Sequence, residues 1–589
     1  MNLLRLCTLI TSITAICWAT SCRSGGPKPP SLDSLQETAR NGRLIGKPGG
    51  ALRYRIGSPP QTFNYLMAVD DSTLIVAFYL MGGRLVEFDH DTHRYLPALA
   101  EKWTAAGGGR TLDLSLRQGL KFSDGRPLTA EDVRFTFRAL YDQRTASPLF
   151  GPAMTIGGAQ IQVSVQDPSH LRLVFPQPVA VPESYLSNLA VLPRHLLEKS
   201  LEQGAFREAY SLLSDPSQIA TAGAFIAQAV VPGERVVLRR NPHYWKRDEA
   251  GAPLPYLDEV VIEVAGEANN AFARLVQGSL DLYDRIRPAD YAALLKQPGV
   301  VNAVDAGPGL STDYLWFNLN AGKREGQPLV NPMKRAWFND LRFRRAISHS
   351  IDRETLARVT LQGLATPLYN FVSPGNREWV ATGLARTDYD LEKARALLRE
   401  AGFTQSGEPD RPELRDAAGN RVELTMIVPV ESQPRMQMAA VVQEDWARLG
   451  IKVNVAPIEF GDLQRRISQT YDYEAALLGA IVSEPDPSSY VNLLGSSSPS
   501  QHWYPRQTRP GTAWESRIDE LLEAQARETM LDRRRAIFRE IQTILADQLP
   551  VIPLTARHVI CAANRRIGNF RPSAFQPFAI WNAEELFVR

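Results

Sequence analysis

Between Met438 and Val455 the apolar residues change their spacing across a single glycine. Met438, Val442, Trp446 and Leu449 recur at helical intervals, Gly450 interrupts, and Ile451, Val453 and Val455 then alternate. A helix with one apolar stripe followed at once by a strand must bury both against a common layer, which predicts a helix-to-strand unit of an α/β domain. Similar punctuation recurs. Leu52, Tyr54 and Ile56 alternate with Arg53 and Arg55 and stop at Gly57-Ser58-Pro59-Pro60, a half-buried strand ending in a loop. Leu112, Leu114 and Leu116 predict another strand, Phe122-Ser123-Asp124-Gly125 a turn, and Thr129 the cap of a helix whose stripe is Val133, Phe137, Leu140 and Tyr141. Asp390 opens a helix that Gly402 closes, and residues 514–529 and 531–546 read as two amphipathic helices leading to Pro550 and Pro553.

A chain of 589 residues has room for two or three such domains. Its formal charge of +2, without a long basic run, argues against a nucleic-acid partner. At the amino end Arg5 precedes the apolar run Leu6 to Ala19, the layout of a secretory signal over residues 1–21. That run is shorter than the ~20 residues a membrane-spanning helix needs. Ala19-Thr20-Ser21-Cys22 looks like a bacterial lipoprotein box, although a large aliphatic residue usually stands where Ala19 does; Cys22 is then the expected lipid anchor. Residues 22–45, in which Cys22 is followed by Arg23-Ser24-Gly25-Gly26-Pro27, suit a flexible tether. Once Cys7 and Cys17 leave with the signal, only Cys22 and Cys561 remain, so no disulfide framework is expected.

An ordered set of segments resembles the peptide-binding receptors of the extracellular solute-binding protein family 5. It begins with Tyr95-Leu96-Pro97-Ala98-Leu99-Ala100-Glu101-Lys102-Trp103, then Leu116 to Gly125 and Leu128 to Val133. Asn241-Pro242-His243-Tyr244-Trp245, Leu254 to Asp258 and Gln277 to Asp281 follow. Tyr314 to Asn318, Leu341 to Ile347, Ile351-Asp352-Arg353, Ala394 to Leu398 and Asp486 to Tyr490 complete it. The resemblance implies a two-lobed α/β fold of periplasmic-binding-protein type, with an extra inserted subdomain and two hinge strands. On that map lobe I is 46–61, 216–311 and 557–589, the insert is 62–215, and lobe II is 312–556. It also implies a monomeric receptor in the periplasm or on the outer face of the cell membrane. Such a receptor passes a peptide or peptide-like solute to an ABC importer permease and ATPase, meets the membrane through its lipid anchor only, and needs no cofactor.

Peptide ligands offer a main chain and two charged ends, which receptors grip with backbone hydrogen bonds and opposite charges. By resemblance, the ligand-binding candidates are Tyr314, Trp316 and Asn318 on the strand entering lobe II, Ser483, Glu484 and Asp486, and Phe63 with Asn64 after the first strand. Tyr314 and Trp316 read equally as core aromatics. In oligopeptide- and dipeptide-binding members an aspartate holds the ligand's amino terminus where Ser483 stands here. Loss of a charge-assisted bond worth ~1.5–3 kcal/mol should weaken free-amine recognition about tenfold or more. Glu484 could reach across instead, though neighbouring strand residues point to opposite faces. Asp486 reads more simply as a turn or helix cap before Pro487. The ligand is then a peptide held otherwise, a blocked or cyclic peptide, or a non-peptide solute such as a glycoside.

Asp89-His90-Asp91-Thr92-His93 has metal-ligand residue types, but its apolar flanks Val86, Phe88, Tyr95 and Leu96 favour an exposed turn. Nickel and haem stay as lesser alternatives, because some family members bind them. A secreted hydrolase is the rival class. Against it, H-E-x-x-H, G-x-S-x-G and P-loop patterns are absent, and Cys561 between Ile560 and Ala562 reads as an inert buried thiol. No catalytic residue and no metal ligand is assigned.

Overall fold

The helix and strand on either side of Gly450 are Gln433–Ala447 and Lys452–Ile458. Met438, Val442, Trp446 and Leu449 are fully buried. Gly450 makes the junction at φ +85°, and a Cβ there would lie 2.6 Å from the Leu414 amide nitrogen, so the close approach itself selects glycine. This computed structural model describes residues 43–589 apart from 265–267, 297–298, 409–410, 481 and 483. Cys22 and Ser483, two of the expected functional residues, therefore lie outside the described residues. Gly46–Arg589 forms one unit by itself.

Its spine is an 11-stranded mixed sheet. In chain order the strands are β1 (Ala51–Ile56), β2 (Phe225–Val231), β3 (Arg235–Arg240), β4 (Glu259–Val264), β5 (Leu282–Tyr283) and β6 (Val301–Phe317). Then come β7 (Ala365–Pro367), β8 (Glu423–Pro429), β9 (Lys452–Ile458), β10 (Ala475–Leu477) and β11 (Val551–Asn564). They lie side by side as β2-β3-β4-β1-β5-β11-β6-β10-β8-β9, with β7 also pairing β11. β1 runs parallel to β4 and β5, and β8 runs parallel to β9 and β10. The long antiparallel pair β6 and β11 joins these two α/β halves.

The apolar packing divides the same way. One core gathers Leu52, Tyr54 and Ile56 with Val559, Cys561 and Ala563 of β11. Another gathers Tyr314, Leu315, Trp316 and Phe317 of β6 with Val551, Ile552 and Leu554 of β11, and a smaller third cluster on the first side packs Leu275 and Tyr283 with Val301, Ile560 and Ala562. Both long strands thus pass from one core to the other, as hinge strands of a two-lobed fold must. Their pairing is irregular between Asp305 and Tyr314, where side chains supply the ties. The buried Asp313 carboxylate accepts from Arg435 at 2.9 Å and from Arg557 at 2.7 and 3.0 Å.

A separate four-stranded antiparallel sheet, ordered Ala100–Ala106, Thr111–Leu116, His170–Val174 and Gln162–Asp167, lies within the 62–215 segment. Leu112, Leu114 and Leu116 point into its core. Helix Ala130–Tyr141 starts at a capping box in which the Asp132 carboxylate accepts from the Thr129 amide at 2.9 Å. Among the described residues no helix is long and apolar enough to cross a membrane.

Candidate functional site

A cavity of about 320 Å³ opens where four remote parts of the chain converge. Phe78 and Tyr79 reach it from a π-helical turn, Leu74–Leu80, a geometry common at functional sites. Phe575 and Trp581 enter from the final loop, and Glu484 with Pro485 from the segment after β10. A neighbouring hollow of about 280 Å³ shares Phe88, Tyr95 and Pro485 with it and adds Trp103 and Trp379. A larger depression of about 480 Å³ lies elsewhere, between helix Ala130–Tyr141 and strand Gln162–Asp167. All its walls come from residues 131–198, and its Arg138 and Glu198 already satisfy each other at 2.9 Å.

Two polar groups in the first cavity have capacity to spare. The Arg84 guanidinium lies 5.7 Å from the centroids of both the Phe78 and Tyr79 rings. Its nearest carboxylate is Glu87 at 3.8 Å, and its buried Nε has no hydrogen-bond partner among the described residues. The π-faces stabilise the cation while leaving N–H groups unspent. Glu484 accepts one hydrogen bond, from Asn188 Nδ2 at 2.5 Å, and forms no ion pair with any described residue. Burial raises its pKa above the ordinary carboxyl value; the Asn188 bond opposes this and the nearby Asp486 charge adds to it. His90 stacks on Trp581 with centroids 5.0 Å apart, and its Nδ1 lies 2.9 Å from Ser573 Oγ. Burial lowers its pKa to about 3, so the ring is neutral.

Of the ligand-binding candidates read from the sequence, Glu484 alone among the described residues lines this cavity, while Asp486 lines the adjoining hollow. Asp486 accepts from the Ser488 amide at 2.9 Å, capping the turn Pro487–Tyr490, and pairs with buried Arg534. Tyr314 and Trp316 pack in the second core. The Tyr314 hydroxyl is 2.8 Å from His502 Nδ1, and Trp316 Nε1 donates to Tyr473 at 3.1 Å. Asn318 donates to the carbonyls of Tyr471 and Tyr473, both at 3.0 Å. Phe63 is buried, and Asn64 donates to the Phe206 carbonyl at 2.9 Å. These last five line neither cavity.

The run Asp89 to His93 forms the turn between strands Val86–Asp89 and Arg94–Pro97, with Asp89 accepting from the Thr92 amide at 2.7 Å. Its histidines face inward, however: His90 lines the first cavity and His93 the second. Among the described residues no group of three metal-ligating side chains is present. Sequence reasoning missed Arg84, Tyr79, Asn188 and Trp581. The apolar run Leu74 to Leu80, with two adjacent aromatics, was the available signal.

Two α/β lobes, two strands crossing between them and a cavity walled from several segments define an extracytoplasmic solute-binding receptor of the kind that serves ABC importers. Residues 94–502 match the family described as bacterial extracellular solute-binding proteins, family 5 Middle, and the chain belongs to that family. It is 28% identical over 512 residues to a Deinococcus radiodurans protein called a probable ABC transporter-binding protein, covering 83% of this chain and 84% of that one. A Pseudomonas aeruginosa di/tripeptide-binding protein 3 is 25% identical over 532 residues, covering 87% and 90%. Among solved structures, the substrate-binding protein CtaP of Listeria monocytogenes superposes with a TM-score of 0.74 at 22% identity, over 92% of this chain and 100% of that one.

Proposed function

We propose that the receptor captures a short peptide or peptide-like solute carrying both end charges and hands it to its importer's permease and ATPase. The observation that carries this reading is the pair of underused groups in one cavity. Arg84 offers N–H donors to a carboxylate, and Glu484 offers a carboxyl group that no cation among the described residues pairs with. A volume of about 320 Å³ lies at the small end of ligand pockets and suits a few residues of peptide. Phe78, Tyr79 and Trp581 give the ligand's side chains apolar and aromatic surface without demanding one identity. The relative named for di- and tripeptides supports the same class.

On this reading residues 46–61, 216–311 and 557–589 move as one lobe with the insert 62–215, and 312–556 as the other. Closure brings Glu484 toward the insert, and it is favoured only when ligand bridges both sides. Glu484 then does the work that an aspartate in place of Ser483 would do. Cys22 anchors the monomeric receptor through lipid.

Thermal unfolding of the purified protein with tri-alanine, and with tri-alanine acetylated and amidated at its ends, tests the ligand class. A stabilising ligand adds about 2.7 kcal/mol at a hundredfold excess over Kd. A saturable rise in Tm with the free peptide, absent with the blocked one and without cleavage of either, is expected. Equal stabilisation by both would remove the end charges from the account.

A further inference from the structure

The two hollows are chambers of one cleft, since Phe88, Tyr95 and Pro485 wall both. Tyr95, on strand Arg94–Pro97, is partly buried there, and its hydroxyl makes no hydrogen bond with any described residue. A donor thus stands unspent between the chambers. Beyond it the walls of the second chamber are aromatic, with Trp103 and Trp379 joining Phe88 and Tyr95, and Glu183 stands among them. Trp103, on strand Ala100–Ala106, donates its indole N–H to Glu183 Oε1 at 2.8 Å. That is the one hydrogen bond Glu183 accepts from the described residues, and it forms no ion pair with any of them. The other charges of this chamber are matched or face water. Asp486 is held by Arg534, Glu378 reaches the exposed Arg535 at 3.1 Å, and Arg94 is exposed. His93, whose pKa burial lowers, adds no charge at neutral pH. A carboxylate among π-faces and without a cation of its own is suited to receive one from outside.

Each half of the chamber is complete within its own side of the cleft. Trp103 and Glu183, the latter on helix Pro182–Ser187, both belong to the 62–215 segment. Trp379, Asp486 and Arg534 all belong to the 312–556 segment and contact one another. On the two-lobe reading, opening therefore parts the halves without breaking either, and Glu183 meets an arriving ligand already oriented by Trp103.

We propose that the second chamber is a subsite for a basic side chain of the captured peptide, lysine or arginine, with Glu183 as its counter-ion. The charged ends of the peptide stay in the first cavity, and the side chain passes Tyr95, whose hydroxyl offers a hydrogen bond on the way. Glu183 is thereby a specificity-determining residue, selecting among peptides that Arg84 and Glu484 admit alike. This inference rests on the peptide reading of the first cavity.

Calorimetric titration of the purified protein tests it with tri-alanine in which lysine replaces each alanine in turn. The comparison at each position is the peptide with norleucine there, which keeps the aliphatic chain and lacks the ammonium. At one position or more, wild type should bind the lysine peptide about tenfold more tightly than its norleucine twin, the gain of one charge-assisted bond. Glu183→Gln keeps a carbonyl acceptor for the Trp103 N–H and removes the charge, so the lysine preference should vanish. Glu183→Asp, with the charge on a shorter arm, should show an intermediate preference. Equal binding of lysine and norleucine peptides by wild type at all three positions would overturn the subsite, whatever the variants do, and leave the peptide reading intact. A preference that survives undiminished in Glu183→Gln would overturn the role of Glu183. No binding of any of these peptides, tri-alanine included, would overturn the peptide reading and the subsite with it.

Discussion

Arg534 holds Asp486 with two parallel hydrogen bonds, Nη1 to Oδ2 and Nη2 to Oδ1, each 2.9 Å long, and both residues are buried. Arg534 also lies 5.0 Å from the Trp379 ring centroid and donates to Gln525 at 2.9 Å, so the guanidinium cannot swing out to water when its partner is removed. Asp486→Ala leaves that charge uncompensated and also removes the cap on the Ser488 amide. Loss of one partner of a buried pair costs about 3–5 kcal/mol. Urea unfolding should show a loss of that order for Asp486→Ala. A change below about 1 kcal/mol would mean that the carboxylate is not committed to the fold and is available to a ligand.

Glu484 contributes to stability with the opposite sign from an ion-paired acid. Its pKa is raised on folding, so between the unfolded and folded values the native state holds more protons, and stability falls as pH rises through that window. Glu484→Gln keeps a carbonyl acceptor for Asn188 and removes the titration. The variant's unliganded Tm should therefore equal or exceed that of wild type at neutral pH, and the gap should close on acidification toward the ordinary carboxyl range. A variant less stable at neutral pH than in acid, relative to wild type, would contradict the raised value.

Two partly buried histidines act in the other direction. Burial lowers His502 to about 4 while its ring stacks on Trp316 with centroids 4.3 Å apart, and it lowers His90 to about 3. Their ordinary value is about 6.5, so the unfolded chain binds more protons below it. Stability is complete above about pH 6.5 and is lost as pH falls toward the folded values. Melting curves from pH 7 to pH 4 should be flatter for His502→Gln than for wild type. Parallel curves would show that His502 does not titrate differently on folding.

The α/β character was legible because it is written locally. The change of period across Gly450, the alternation of Leu52, Tyr54 and Ile56 and the Thr129 cap each depend on neighbours a few residues away, and each is present in the structure. The two-lobed arrangement came from resemblance, since nothing local says that β6 and β11 lie side by side with more than 230 residues between them. The cavity was mostly illegible for the same reason. Its walls come from residues 74–95, 149–188, 484–485 and 575–581, and only folding makes them neighbours. Tyr314 and Trp316 show the ambiguity of aromatics on an alternating strand: both faces of β6 are covered, so alternation does not mark one side as the binding face. The histidines of the 89–93 turn were conspicuous for metal-ligand chemistry, yet their rings serve as aromatic wall.

Arg84 gives the sharpest test of the cavity, because two substitutions separate its charge from its shape. Its guanidinium is poised over Phe78 and Tyr79 with an unspent Nε. A carboxylate arriving there gains charge-assisted hydrogen bonds worth about 1.5–3 kcal/mol, so Arg84→Met should weaken binding of tri-alanine about ten- to a hundredfold. Methionine preserves contact with the aromatic rings, which limits the structural cost. Arg84→Lys keeps the positive charge but loses the planar fork, and should fall between wild type and Arg84→Met. With tri-alanine amide, whose carboxyl end is neutral, all three proteins should bind alike. Should Arg84→Met instead bind both peptides with wild-type affinity, the carboxyl end must be held elsewhere, and the second hollow, between Trp103 and Trp379, would be the place to look.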